Sequence, residues 1–424
     1  MSFYEDSSII ITPNAYKAGT LYAVVPTSGA ADMDFTRATT ATRVDEDGLV
    51  ADVLSGVPRI DYTGGGCPHI LSEPQRTNLF PYSEDFSQWS AISNITISPD
   101  STISPDGTLN ASKVLEQVPS ATGHMVFDNL GLTPSVEYNF SIFVKKLNRR
   151  YVALQNSYNA ANGSIAFFDL DTETLIYTYS TGTVGTFTVS DAKIENYNNG
   201  WYRLSANFQS NASTGVLPTL VLADSQWSTG FSYNNLYTGD VTKGAYIWGA
   251  QIEVGSYATS YIPTSGASVT RNQDQFTRDG IGGLINSTEG VWFAEIAALA
   301  NDGTYREISL NDGTINNVLE IRYTPTDNQL QFIVRNAGSP VVIETITLSN
   351  ALDFNKIAFS YKSNDYKMYV NGSEVGTDTS GTMPSGLDTL SLNWGSNYFF
   401  GKVKQLQVYT TALSDSDLTI LTTP

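Results

Sequence analysis

The sequence of 424 residues contains one cysteine, two histidines and five methionines. A single cysteine excludes an intrachain disulfide. It is Cys67, in the turn-like run Gly64-Gly65-Gly66-Cys67-Pro68, with no cation nearby to activate its thiol. The histidines, His69 and His124, lie far apart and read as turn or surface residues. Together with Cys67 they fall short of the roughly four N/S ligands of a structural zinc site, and they offer no base placed for a hydrolytic triad. Charge is also sparse, at 15% of residues, where about a quarter is usual. Lys and Arg number 23 against 42 Asp and Glu, a formal net charge of −19. Acidic residues exceed basic ones by 5, 7 and 7 in residues 1–80, 81–265 and 266–424. No basic domain hides in the total, so nonspecific nucleic-acid binding is not expected. No apolar run approaches the roughly 18 residues of a membrane span. The start, Met1-Ser2-Phe3-Tyr4-Glu5-Asp6, lacks the basic and apolar stretches of a secretory leader. The glycine runs at 64–66 and 280–283 precede no helical pattern, so a phosphate-cradling loop is not expected.

What is abundant is uncharged polarity: 46 Thr, 44 Ser and 31 Asn. Hydrophobic residues at 41% and aromatics at 12% offer enough apolar surface to offset chain entropy. The Thr, Asn, Tyr and Gly content suits a β-rich surface. At about 150 residues per domain the length suggests roughly three domains. The reading is all-β: two antiparallel β-sandwiches preceded by an extended, turn-rich N-terminal segment. That segment, residues 1–80, is broken by Pro13, Pro26, Pro58, Pro68 and Pro74, and it reads as wrapping on something rather than folding alone. Residues 81–265 show short alternating strands such as Tyr138-Asn139-Phe140-Ser141-Ile142-Phe143-Val144. Residues 266–424 repeat the style with Val291-Trp292-Phe293-Ala294-Glu295-Ile296. Asn371-Gly372 predicts a tight type I′ hairpin, and Ser414 predicts the cap of a short helix over Asp415-Ser416-Asp417-Leu418. The best linker candidate is Pro263-Thr264-Ser265-Gly266-Ala267-Ser268.

Two clusters bear on chemistry. Asp169, Asp171 and Glu173 alternate and could share one strand face, as two glycosidase carboxylates must. They also read as calcium ligands, or as a solvated strand edge or hairpin turn. The stretch holding Trp227, Phe231, Tyr233 and Tyr237 is interleaved with Ser, Asn and Gly. Such rings stack on sugars. With Trp394, which precedes Gly395-Ser396-Asn397, the expected glycan-binding residues are Trp227, Tyr233, Tyr237 and Trp394. Trp201, Trp248 and Trp292 read as core. No catalytic residues are assigned, and an enzyme is not expected.

Three stretches carry resemblances. Thr36-Arg37-Ala38-Thr39-Thr40-Ala41-Thr42-Arg43-Val44, Gly48-Leu49-Val50, Val57-Pro58-Arg59-Ile60-Asp61-Tyr62 and Glu73-Pro74-Gln75-Arg76-Thr77-Asn78-Leu79 together resemble the N-terminal region of tailed-bacteriophage tail- and head-fibre proteins. Trp248-Gly249-Ala250-Gln251-Ile252-Glu253-Val254-Gly255, running into Ala258-Thr259-Ser260-Tyr261-Ile262-Pro263-Thr264, resembles carbohydrate-binding-module-like jelly rolls of phages. There the first and last strands pair, which would place this motif beside Asn78-Leu79. Lys367-Met368-Tyr369-Val370-Asn371-Gly372, Gly401-Lys402-Val403-Lys404-Gln405-Leu406-Gln407-Val408-Tyr409 and Ala412-Leu413-Ser414-Asp415 are similar to concanavalin A-like, laminin-G-like lectin domains. Lys404 stands where many relatives carry an acid, so no role of that acid transfers. The hydrolases of that fold carry Glu-x-Asp-x-x-Glu, a spacing that Asp169, Asp171 and Glu173 do not reproduce.

The resemblances imply a virion protein, a fibre or decoration subunit made in a host cytoplasm and released by lysis, which would explain the missing leader. Residues 1–80 would be a virion-anchoring or oligomerisation segment, 81–265 the jelly roll and 266–424 the lectin-like domain. The implied partners are further copies in a homotrimer, other virion proteins and host-surface or environmental glycans. No cofactor is required, although such folds often hold structural calcium. The implied ligands are Asp85 and Glu253, with Asp302 or Asp312 in the C-terminal domain. The alternatives are a tailspike-like polysaccharide-degrading enzyme and a purely structural capsid decoration protein.

Overall fold

The computed structural model describes residues 3–89, 91–119, 121–159, 161–183, 185–211, 217–393 and 395–424. The chain forms two compact units, and neither is continuous in sequence. The first comprises residues 1–40, 53–75 and 272–424, and the second comprises 41–52 and 76–271. Both are built from antiparallel β-sheets, and the fold is all-β. Among the described residues no helix is long and apolar enough to cross a membrane.

The first unit is one sheet of 16 strands folded around a main core that includes Trp292, Phe332 and Phe359. Gly401–Tyr409 lies between Glu289–Ala298 and Ile9–Lys17. Ile9 pairs with Val408 and Ile10 with Gln407. Ile9, Ile11 and Leu21 are fully buried in the same core. The N-terminal stretch therefore differs from the wrapping segment expected over residues 1–80. Residues 1–40 and 53–75 complete the unit that carries the C-terminus, while 41–52 and everything from 76 belong to the other. Short β-branched runs between prolines found their partners about four hundred positions away, and local pattern does not register such a pairing. The later crossing falls after Arg271, beyond the expected linker.

Two local expectations are met in this unit. Asn371 and Gly372 have φ of 48° and 83° and join Tyr366–Val370 to Ser373–Asp378. This is the left-handed pair that a type I′ turn requires. The Ser414 hydroxyl accepts from the Asp417 N–H at 3.2 Å and caps the helix Asp415–Thr422. That helix buries Leu418 and Leu421 beside Val291, Phe293 and Tyr409. Lys404 sits 4.2 Å from the Phe354 ring centroid and 3.8 Å from Glu295.

The structure gives the first sequence motif a physical role. Arg37 Nη1 donates to Asp274 Oδ1 at 2.9 Å, and Arg59 Nη1 donates to Glu73 Oε2 at 2.6 Å. Arg59 Nη2 donates to the other Asp274 oxygen, which also accepts the Glu73 backbone N–H at 2.9 Å. All four side chains are buried. Burial alone would push the Arg59 guanidinium down, but Asp274 and Glu73 hold it above its ordinary value. These residues stand close in sequence to the four points where the chain passes between units.

His69 is not a surface residue. It is buried on the strand His69–Ser72, with Nε2 3.4 Å from Asp61 Oδ1 and its ring against Phe354. Burial pushes its pKa down to about 4 from 6.5, with Lys402 and Lys404 adding to the effect and Asp61 opposing it. The folded state thus binds fewer protons than the unfolded one between these two values. His69 contributes stability that is full above pH 6.5 and is lost as pH falls towards 4. His69→Gln is expected to flatten the acid side of a melting-temperature profile over that interval, and an unchanged slope would refute the assignment.

The second unit packs two six-stranded sheets face to face. One runs Ile95–Ile103, Leu109–Glu116, Gly244–Val254, Glu137–Lys146, Trp201–Ser210 and Phe187–Asn196. The other runs Thr174–Thr181, Asn162–Asp169, Tyr151–Asn159, Pro218–Ala223, His124–Phe127 and Ala91–Ser93. Strand alternation sends Phe140, Leu154, Ala166 and Phe168 inward. The outer face of the first sheet is also apolar: Phe143, Trp201 and Trp248 pack with Val50 of the hairpin at 41–52. Trp201, Trp248 and Trp292 are all buried, as expected. His124, expected in a loop, is fully buried on a strand with Nδ1 2.8 Å from the Asn94 carbonyl.

The second motif is a polar clasp. Glu253 points away from the inner core yet is fully buried. It accepts from the Thr259 N–H at 2.8 Å, from Thr259 Oγ1 at 2.7 Å and from Gln251 Nε2 at 2.7 Å. Asn78 Nδ2 donates to the Ala250 and Ile262 carbonyls at 3.1 and 2.9 Å. The opening Asn78-Leu79 and the closing strand thus sit together, as the jelly-roll resemblance implied.

Candidate functional site

The outward face of the Thr174–Thr181 sheet carries a row of rings. Strand register sets Tyr177 opposite Phe167 on adjacent strands, and Tyr151 projects from the next strand on the same face. Tyr151 and Phe167 have centroids 5.9 Å apart with planes 22° from parallel. Phe167 and Tyr177 are 5.3 Å apart and 16° from parallel. Phe167 is fully buried, while Tyr151, Tyr177 and Tyr179 are half-buried. The row therefore presents its outer rings, not its centre, to solvent. Tyr177 stands on the edge strand; Phe167 covers one side of its ring, and no other ring contact to it occurs among the described residues.

Charge borders one end of this row. Arg150 lies 5.1 Å from the Tyr151 centroid and holds Asp169 through two hydrogen bonds at 2.8 and 2.5 Å. These bonds keep the Asp169 carboxyl well below its usual range. Lys146 pairs with Asp171. Aromatic faces flanked by polar groups that fix orientation are what a pyranose ring needs.

The sequence-predicted residues are placed differently. Trp227 is 5% exposed, with its ring 5.0 Å from Phe167, and Phe231 is fully buried beside it. Tyr237 is also buried; its hydroxyl donates to Glu116 Oε1 at 2.7 Å and lies 3.1 Å from the Leu222 carbonyl. The aromatic stretch is a cover over the sheet, so Trp227 and Tyr237 offer no free ring face. Tyr233 alone of the three is exposed, at 37%. Trp394 lies outside the described residues. Sequence reading missed Tyr151, Tyr177 and Tyr179. The available signal was the two-residue spacing of Tyr177 and Tyr179, which puts both on one face.

Of the acidic cluster, Asp169 and Asp171 meet at Arg150, and Glu173 does not join them. The strand ends at Asp169, and residues 170–173 form the hairpin turn. Glu173 turns away to accept from the Tyr202 hydroxyl at 3.0 Å. The expected calcium ligands are likewise not assembled. Asp85 caps the short helical turn Phe86–Gln88, accepting from the Ser87 N–H. Glu253 is occupied by the donors of the clasp. Asp302 pairs with Arg306 at 2.6 Å, and Asp312 accepts from Asn317 Nδ2 at 2.7 Å. Among the described residues no group of three or more His, Cys, Asp or Glu could hold a metal ion.

The fold defines an all-β protein built from antiparallel sheets packed as sandwiches. Residues 290–419 match the concanavalin A-like lectin/glucanases superfamily. Similar solved structures include the CBM40 of a Ruminococcus gnavus IT-sialidase bound to α2,3-sialyllactose, at 17% identity and a TM-score of 0.29, covering 33% of this chain and 86% of that one. Another is domain 4 of AbnA, a GH43 extracellular arabinanase from Geobacillus stearothermophilus, in complex with arabinotriose, at 18% identity and 0.29, covering 40% and 83%. A third is the mouse laminin alpha1 chain, domains LG4-5, at 12% identity and 0.24, covering 70% and 90%. No curated protein matches the chain by sequence.

Proposed function

We propose that this chain is a structural protein of a tailed-bacteriophage virion, a fibre or decoration subunit, that binds host-surface or environmental glycans without altering them chemically. The observation that carries the glycan reading is the Tyr151–Phe167–Tyr177 row, open at its outer rings and bordered by Arg150 and Asp169. The lectin-type match over residues 290–419 supports it for the first unit. The virion reading is supported by the resemblance of the stretches holding Arg37, Arg59 and Glu73 to the N-terminal region of tailed-bacteriophage fibre proteins. Assembly as a homotrimer with other virion proteins belongs to the same proposal. A virion reconstruction showing the subunit in copies of three would bear it out, and absence from purified particles would overturn it.

Tyr177→Ala is expected to weaken glycan binding about 3- to 10-fold, the worth of one aromatic contact; because Tyr177 also packs on the Trp227 cluster and donates to the Gly230 carbonyl at 3.2 Å, a retained cooperative transition shows that the variant is folded. Glycan-array binding that the substitution leaves unaltered would remove the site. An array on which the intact protein binds nothing would leave the decoration role without sugar binding.

A further inference from the structure

The first unit carries a second polar face, which neither motif explains. The strands Arg306–Asn311, Val318–Tyr323 and Gln329–Asn336 are consecutive neighbours. Their registers set Glu307 opposite Arg322, Arg322 opposite Gln331, and Val318 opposite Arg335. Ile308, Leu310, Leu319, Ile321, Phe332 and Val334 point into the core. The alternate positions Glu307, Glu320, Arg322 and Arg335 therefore share the opposite face. Glu320 sits between the two guanidinium groups. It accepts from Arg335 Nε at 2.9 Å and from Arg322 Nη1 at 3.5 Å. Arg322 also donates twice to Gln331 Oε1, at 3.0 and 2.8 Å, and lies 4.6 Å from the centroid of Tyr305. Tyr305 is 40% exposed. The Arg335 side chain is 28% exposed, and its two terminal nitrogens make no hydrogen bond among the described residues.

One carboxylate between two guanidinium groups leaves a positive charge over. Glu307 decides whether that charge is cancelled. It makes no ion pair among the described residues and receives only a 3.3 Å contact from Asn397 Nδ2. Burial pushes its pKa up to about 7 and Glu320 adds to this, while Asn397, Arg322 and Arg335 oppose it. In a chain of net charge −19, this face carries net positive charge while Glu307 is protonated and none once it ionises.

We propose that this face binds carboxylate-bearing glycans, the terminal nitrogens of Arg335 taking the sugar carboxylate while the Tyr305–Arg322 stack carries the ring, and that Glu307 gates the affinity. The inference rests on the glycan-binding reading above and names the ligand class for the first unit. A guanidinium fork matches a carboxylate in geometry and charge. The sugar carboxylate stays ionised across the working range, so the protein supplies the pH dependence.

The test titrates the full chain with a galacturonic-acid oligosaccharide, with sialyl- and neutral galactose oligosaccharides as further probes, at pH 5.5 and pH 8.5. An acidic probe is expected to bind several-fold more tightly at the lower pH, and Glu307→Gln should abolish that difference. Arg335→Gln should lose acidic-probe binding at both values, and Arg335→Lys should weaken it while keeping the pH dependence. Calorimetric transitions matching those of the unsubstituted protein show that the variants are folded. Uronate binding without sialoside binding, or the reverse, identifies the source of the carboxylate within the proposed class. Equal affinity for acidic and neutral probes, or a pH dependence that survives Glu307→Gln, overturns the inference. If the acidic probes are lost through Tyr177→Ala but not through Arg335→Gln, this inference fails while the glycan reading stands. If no probe binds at all, both fail.

Discussion

Asp274→Asn is expected to destabilise the first unit by about 3–5 kcal/mol, the usual cost of removing one partner from a buried ionic network. Asp274 is the hub: it accepts from Arg37, from Arg59 and from the Glu73 backbone N–H. Asparagine keeps the volume and loses the charge. Arg59 would keep the carboxylate of Glu73 and Arg37 the carbonyls of Thr39 and Leu54, but both would lose the charge of Asp274. Neither could move to water, because both side chains are fully enclosed. The residues joined come from 1–40, 53–75 and 272–424, so the loss should appear as earlier melting of that unit in calorimetry. A loss below about 1 kcal/mol, the size of an exposed pair, would mean that the network is not desolvated as described.

The second large effect is expected in the other unit. Glu253→Ala would remove the carboxylate acceptor of the Thr259 N–H and the Thr259 hydroxyl, and leave the Gln251 amide only its longer contacts to the Thr259 and Ser260 carbonyls, at 3.4 and 3.5 Å. Each buried donor so orphaned costs about 1–3 kcal/mol. Relaxation of 255–264 limits the sum, and a loss of about 3 kcal/mol or more is expected in urea unfolding. Glu253→Gln should fall between, since it keeps one acceptor oxygen and turns the other into a donor facing donors. Added calcium should restore neither variant, because the carboxylate is held by protein donors. A calcium-dependent recovery would overturn this account of Glu253.

The extent to which the sequence disclosed this protein differs from residue to residue. Asn371-Gly372 and the Ser414 cap depend on interactions spanning a few residues, so local chemistry sufficed. The strands around Trp292 and Phe140 were legible because alternation marks a half-buried surface. Two of the rings expected to be exposed are buried, for a physical reason. Trp227 and Tyr237 are flanked by Ser, Asn and Gly as exposed rings often are, yet Glu116, 121 positions away, draws Tyr237 inward. Tyr151 and Tyr177 become a row only through the register of Phe167 between them.

The composition that opened the account, with one cysteine, two histidines and little charge, was enough to set the class. It required stability from sheets and apolar cores instead of disulfides or a zinc site, and the alternation of the strands determined that the cores are sandwiches. The sequence also marked Arg37, Arg59, Glu73 and Glu253 as special without saying why. Only the tertiary structure decided that these are buried clasps, that the first forty residues complete the sheet of the last hundred and fifty, and which rings reach solvent. Burial and pairing between residues hundreds of positions apart depend on which sheet edges meet, and short-range pattern carries no record of that.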